Sequence, residues 1–273
     1  MDTRLKPIVE ILISAAFWST IGLASIYSGN YVVLAFFRSL TASAVAIFFA
    51  RPGGKAAAIS GVLLGVLFTV YPLAAVLVGL GPAAYLLYTA PLWTTSISAA
   101  LGERPTRNDI IAVALVTAAV ALMFLETHKG VLSAIGLAAG LASGASYGSY
   151  IAVARFYSRR GMDVDVSLRA MPYTLAVTAP ATAAYVALYG PGDVLRPLAL
   201  GIYLGVLCTV VPYRLFSSGV KVIGAAKASV IATLEPVLAA LWGYLLLGQR
   251  PDEVMLIAYV LITAAAILAS AGG

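Results

Sequence analysis

The sequence predicts an all-α polytopic membrane protein, with ten transmembrane helices arranged as two inverted five-helix repeats. Three observations carry that prediction: the composition, the spacing of the apolar runs, and a motif that recurs at a fixed offset. Of 273 residues, 62% are hydrophobic and 10% are charged. The mean hydropathy is +0.98. Soluble domains are roughly 45–50% apolar and about 25% charged, so this chain lacks the polar surface of a dissolved protein. A formal charge of +6 would suggest a nucleic-acid partner in a soluble protein. Here the basic residues sit in short gaps between apolar runs, so they read as topology signals and no nucleic acid is expected. The single cysteine, Cys208, excludes an internal disulfide and a cysteine-ligated cluster, and the single histidine, His128, excludes His-rich metal chemistry. No metal and no cofactor are expected.

Ten apolar runs follow in order: 8–27, 31–50, 57–79, 82–101, 108–125, 130–152, 166–189, 197–218, 225–247 and 253–271. Each is near the roughly 20 residues with which a helix crosses a bilayer. The first follows a basic start, as a signal peptide does. It is longer than the about 7–15 apolar residues of a signal core and is succeeded at once by further runs, so it reads as an uncleaved first span. Ten spans put both termini on one side. That side holds Arg4, Lys6, Arg51, Lys55, Arg104, Arg107, Arg155, Arg159, Arg160, Arg169, Lys221 and Lys227. The other side holds Lys129, Arg196 and Arg250, and Arg38 and Arg214 fall inside spans. The positive-inside rule therefore predicts cytoplasmic termini in a multi-pass plasma-membrane protein.

Residues 61–72, GVLLGVLFTVYP, recur as residues 201–212, GIYLGVLCTVVP, with eight of twelve positions identical at an offset of 140. Gly79 and Gly219 keep that offset, and LGERP at 101–105 returns as LGQRP at 247–251. Spans 3–4 thus correspond to spans 8–9, which divides the chain into residues 1–127 and 128–273. Five spans per half is odd, so the halves lie in opposite orientations. Inverted repeats are characteristic of secondary transporters and place the substrate near mid-membrane between the halves.

Gly136, Gly140, Gly144 and Gly148 form an i+4 stripe on span 6, and Gly61/Gly65 and Gly201/Gly205 are further Gly-x-x-x-Gly pairs. Small residues let helices approach closely in lipid, either as fixed packing or as a sliding surface. Pro72, Pro91, Pro212 and Pro236 lie inside spans 3, 4, 8 and 9, where proline removes a backbone hydrogen bond and kinks a helix. The released carbonyls of Phe68, Leu87, Cys208 and Ala232 need protein or cavity-water partners. Kinks shared by both halves suggest a central cavity lined by these spans, or packing alone.

Glu235, before Pro236, lies near mid-span, where a charge costs roughly 2.5–3.5 kcal/mol on insertion scales. Three readings stand: a structural partner of Arg38, Arg214 or Lys227; a protonated acid on a released carbonyl; or a proton-coupling or substrate-amine site. Arg38 is deep in span 2 and suits a structural pair or a substrate carboxylate, while Arg214 is near enough to the cytoplasmic end to snorkel. Tyr27, Tyr31, Tyr185 and Tyr189 sit at span ends as interfacial residues. Trp18, Tyr71, Tyr88, Trp93, Tyr147 and Tyr213 lie deeper, often beside a proline, and together suit an aromatic-walled cavity or core packing. Gly144-Ala145-Ser146-Tyr147-Gly148 matches a nucleophile elbow in letters only, since it lies in an apolar helix with no base nearby, and no enzyme is predicted.

On these residues the chain resembles the EamA-type transporters of the drug/metabolite transporter superfamily over nearly its whole length. Phe17-Trp18-Ser19 is similar to the family's first-helix element and Phe36-Phe37-Arg38 to its second-helix arginine element. Leu234-Glu235-Pro236 with Leu247-Gly248-Gln249-Arg250 is similar to its ninth-helix signature, with Gln249 standing where Glu is usual and Glu103 kept in the first repeat. The resemblance implies ten helices around a cavity lined by helices 1, 3, 4, 6, 8 and 9. It also implies alternating access, often for export, of amino acids, other metabolites or toxic compounds. The expected function is a secondary transporter, an exporter, for a small organic metabolite such as an amino acid or aromatic compound, with protons as a candidate coupling ion. A passive channel or facilitator for small solutes is the alternative.

Overall fold

The computed structural model describes residues 5–271 apart from 103, 129–131, 159, 161–165, 224–227 and 229–230. Arg4, Glu103, Lys129, Arg159 and Lys227, and the side chains of His128 and Lys221, lie outside the described residues. Among the described residues the chain is helical throughout and holds no strand.

Helix α1 (Leu5–Ser19) breaks at Thr20 and resumes as α2 (Ile21–Tyr27). The Thr20 hydroxyl donates back to Phe17 O at 2.7 Å, a local bond that competes with the helical ladder. Asn30 caps α3 (Tyr31–Ala46) by accepting from Val33 N at 3.1 Å. Helix α4 (Lys55–Val78) runs unbroken through Pro72. Gly79, at φ 90°, then turns the chain within one residue into α5 (Leu80–Leu87), a conformation that L side chains resist. Tyr88 and Thr89 separate α5 from α6 (Ala90–Ala100). A capping box opens α7 (Arg107–His128): Asp109 N donates to Thr106 Oγ1 and Thr106 N to Asp109 Oδ2.

Helices α8 (Ala134–Ser158) and α9 (Val166–Tyr189) follow. Helix α10 (Leu195–Gly205) passes into a π-turn (Val206–Val210) and then α11 (Val211–Ile223). Helix α12 (Leu234–Leu247) ends at Gly248 in left-handed geometry, and α13 (Glu253–Ala271) completes the described chain. The described residues of the predicted spans fall largely on these helices: 31–50 outruns α3, 82–101 is divided between α5 and α6, and 225–247 falls mainly on α12. Among the described residues, four stretches are long and apolar enough to cross a bilayer: Leu5–Tyr27, Lys55–Val78, Arg107–Leu125 and Leu195–Gly219. Tyr31–Ala46, Leu234–Leu247 and Glu253–Leu268 are shorter apolar helices.

The prolines differ from their sequence reading in a consistent way. Pro91 and Pro236 are not mid-helix kinks but lie in the first turns of α6 and α12. There the missing N–H has no intrahelical acceptor to lose. Pro212 follows the π-turn, and of these four only Pro72 sits inside a continuous helix, as Pro172 and Pro180 do in α9.

The core is apolar and draws on both halves, with Trp18, Leu34, Phe68, Leu86, Met171, Leu204 and Ile262 in one cluster. The outer surface is apolar too: Phe48, Ile135, Leu188, Leu195 and Val260 are exposed, as lipid-facing positions are. Glycines set the contacts between the halves. Gly61 and Gly65 of α4 lie on the backbone of α9, so a Cβ at Gly65 would stand 2.7 Å from Thr174 O. Gly201 and Gly205 of α10 lie on α3, so a Cβ at Gly205 would stand 2.6 Å from Thr41 Cβ. The stripe on α8 packs along Leu77, Val78, Leu86, Thr89 and Ala90 of the first half.

Candidate functional site

The break between α1 and α2, the middle of α4, and the start of α12 meet at the centre of the bundle. Trp18, Ile21, Arg38, Leu67, Tyr71, Leu87, Tyr147, Tyr213 and Glu235 line one cavity there. Its volume is about 40 Å³, room for very few waters and far below the roughly 300 Å³ of a small-molecule pocket. In this conformation the cavity has no room for a small organic molecule.

Two opposite charges face this cavity. Arg38 is 4% exposed and Glu235 is 6% exposed. Arg38 Nε donates to Thr209 Oγ1 at 3.0 Å, and its guanidinium lies over the Phe68 ring, 3.7 Å from the centroid. The Tyr88 hydroxyl faces two acceptors with its one proton, the Ala232 carbonyl at 2.7 Å and Glu235 Oε2 at 3.0 Å. That carbonyl lies just before α12, four residues ahead of Pro236, which has no N–H to offer it. No ion pair joins Arg38 to Glu235 among the described residues. Each is anchored by neutral groups instead.

The walls are aromatic. Trp18 meets Tyr213 edge-on at 5.7 Å, and Tyr147 stacks on Tyr150 at 6.1 Å. The Tyr71 hydroxyl is buried, lines the cavity and has no protein hydrogen-bond partner among the described residues. A buried phenol without a partner is costly, and its place on the cavity wall suits contact with a ligand.

Six of the eight residues expected to bind substrate therefore share one cavity, and Tyr88 stands directly behind it on Glu235. Trp93 lies apart, against Gly148 at the α6–α8 contact. Arg214 is exposed and lies over Phe49, 4.0 Å from its centroid, away from the cavity. Ser146 donates its hydroxyl to Leu63 O, a helix-to-helix bond. Sequence reasoning passed over Ile21, Leu67 and Leu87 in the wall and the Phe68–Thr209 clamp on Arg38. Ile21 and Leu67 sit three and four residues from Trp18 and Tyr71, one helical turn away, and that spacing was the available signal.

A larger cavity of about 320 Å³ opens where the Gly79 turn meets the loop after α12. Gln249, Arg250, Asp252 and Tyr259 line it together with Val78 and Leu132. Gln249 Oε1 accepts from Leu80 N at 2.9 Å and so caps α5 from the opposite half of the chain.

Comparison with known proteins agrees with this architecture. A solved crystal structure of a protein superposes with a TM-score of 0.62 at 22% identity, over 98% of this chain and 97% of that one, a likeness of fold alone. A curated protein of Archaeoglobus fulgidus, described as an uncharacterized transporter, is 30% identical over 187 residues. The match takes in 68% of this chain and 66% of that relative, a little under two thirds of its length. The model of the EamA-like transporter family matches residues 134–271, half of the chain. The resemblance seen in Phe17-Trp18-Ser19, Phe36-Phe37-Arg38 and Leu234-Glu235-Pro236 is thus an identity: this chain is a multi-pass membrane protein that belongs to the EamA-like transporter family of the drug/metabolite transporter superfamily.

Proposed function

We propose that this transporter exports a small organic metabolite bearing both an acid and an amine, an amino acid or a related aromatic compound. The observation that carries the reading is the pair Arg38 and Glu235, buried and not joined to one another, on the walls of one aromatic cavity. A ligand carboxylate meets Arg38, its ammonium meets Glu235, and Trp18, Tyr71, Tyr147 and Tyr213 enclose the rest. Glu235 is also the candidate carrier of a coupling proton.

The mechanism is alternating access across ten transmembrane helices, built as inverted repeats of residues 1–127 and 128–273. The reciprocal glycine contacts support it. Spans 3 and 8 are equivalent in sequence; α4 packs on α9, and α10 on α3, so each half lays its glycine pair on the other's second helix. Such an arrangement has two nearly equivalent packings, one open to each side. The charge asymmetry of the loops supports cytoplasmic termini in the plasma membrane, which puts the 320 Å³ cavity at the outer end as an exit vestibule.

Counterflow in proteoliposomes tests this. Vesicles preloaded with amino-acid or metabolite pools are expected to show saturable, trans-stimulated uptake of at least one pool. Linear flux without trans-stimulation identifies a passive channel and overturns the carrier reading.

A further inference from the structure

The repeated motif takes two backbone forms. Residues 66–70, Val-Leu-Phe-Thr-Val, lie in the unbroken α4, where Thr69 Oγ1 donates back to Gly65 O at 3.0 Å. Residues 206–210, Val-Leu-Cys-Thr-Val, form the π-turn, in which Val211 N reaches five residues back to Val206 O. Thr209, the counterpart of Thr69, accepts from Arg38 Nε instead. Five residues that differ at one position do not change helix type by propensity alone. The difference lies in what the threonine touches, and single π-turns concentrate at functional sites.

Arg38 is thereby held by the repeated motif of both halves at neighbouring, not equivalent, positions: Phe68, the counterpart of Cys208, under its face, and Thr209 from the second repeat at Nε. No protein group accepts from its two terminal nitrogens among the described residues, and the residue lines the cavity. A guanidinium fixed by one face and by Nε presents its terminal N–H pair end-on, the geometry that binds a planar carboxylate through two parallel hydrogen bonds.

We propose that Thr209, aimed by the π-turn, is a positioning residue that sets Arg38 as a carboxylate fork, and that return of the turn to α geometry dismantles the fork. In the α form Thr209 bonds back to Gly205 O, as Thr69 does to Gly65 O, and Arg38 loses its tether. A carboxylate ligand then prefers the π form and stabilises it in proportion to that preference. Ligand release and the change of helix form become one event. The proposal rests on the central-cavity reading above.

Thr209→Val removes the acceptor at nearly constant shape, and Thr209→Ser keeps it. The first readout needs no ligand: the rate at which N-ethylmaleimide alkylates Cys208, the only thiol and one buried within the turn. Loss of the tether lets the turn open more often, so the valine variant is expected to react about tenfold faster, from the loss of one hydrogen bond to a charged group. The serine variant is expected to match the wild type. Equal rates in all three overturn the proposal. The second readout is counterflow with a pool of L-amino acids against the same pool as carboxamides. Wild type and Thr209→Ser are expected to prefer the acids, and Thr209→Val to lose about tenfold of that preference. A preference unchanged by Thr209→Val overturns the fork. If the wild type exchanges neither pool, the amino-acid reading and the fork fall together, while the alkylation rates still decide whether Thr209 holds the turn.

Discussion

Gln249 joins the two halves at the end of the bundle through one hydrogen bond, and that bond can be weighed. Leu80 N is the first N–H of α5, and its nominal cap, Gly79, has no side chain to accept from it. Gln249 Oε1 does so from the other half of the chain. Its side chain also fills the notch left by two glycines: it comes within 2.9 Å of where a Cβ would stand at Gly79 and within 2.6 Å at Gly243. Gln249→Ala leaves a donor without an acceptor beside the fully buried Leu80. That costs about 1–3 kcal/mol, in the range of a lost helix cap. A central figure of about 2 kcal/mol is roughly a 30-fold rise in local opening, at about 1.4 kcal/mol per factor of ten. Hydrogen exchange followed by mass spectrometry, read on peptides spanning residues 79–84, is the assay. Exchange about 30-fold faster in Gln249→Ala is expected, with Gln249→Glu near wild type because a carboxylate also accepts. The second expectation explains how this chain carries Gln where its family usually carries Glu. Exchange in the alanine variant within about threefold of wild type refutes the cap.

Three further outcomes are expected. Glu235→Gln keeps the shape of the site and removes its acid; it should abolish or weaken any effect of a proton gradient on exchange, and an unchanged effect assigns Glu235 to structure. Tyr88→Phe leaves Ala232 O without its donor and Glu235 without its anchor, a loss of about 1–3 kcal/mol, read as a lower unfolding temperature in detergent. Gly65→Val and Gly205→Val each force a branched side chain into a helix contact that leaves no room for a Cβ. Each should cost about 1–3 kcal/mol or more, and a large effect at one position with none at the other contradicts reciprocal packing of the halves.

Much of this was legible in the sequence, for identifiable reasons. Apolar runs of bilayer length located the helices because lipid leaves the backbone no alternative to satisfying itself within a segment. Tyr71 and Tyr213 were found because prolines marked the segments that carry them, and Arg38 and Glu235 because charge inside an apolar run is expensive. The backbone response to proline was not legible. Pro72 and Pro212 share a motif, yet one sits in a continuous helix and the other follows a π-turn; the contact that distinguishes them, Arg38 on Thr209, spans 171 residues of sequence. Nor was the fate of Trp93, which sits beside Pro91 as Tyr71 sits beside Pro72. Its Cβ packs on Gly148 of the α8 stripe, a neighbour that only the folded chain brings to it.

The two buried charges raise a last question: whether they sense each other across the cavity or are independent. A charge within the membrane costs roughly 2.5–3.5 kcal/mol, and partners on the protein side here are a threonine, a phenylalanine and a tyrosine. If the cavity is shared, each charge still lowers the cost of the other through a medium with few waters. Removing one alone then leaves the other facing the cavity without its counter-charge, whereas removing both clears the site of charge. A double-mutant cycle of Arg38→Met and Glu235→Gln, measured by thermal unfolding, should therefore be non-additive. The double variant is expected to be more stable than the sum of the singles by about 0.5–3 kcal/mol, and it should lose trans-stimulated exchange. A site that is costly at rest and silent when made comfortable is one retained for its ligand. Additivity within about 0.5 kcal/mol means that the charges do not communicate, and a zwitterion bridging them is then the wrong ligand.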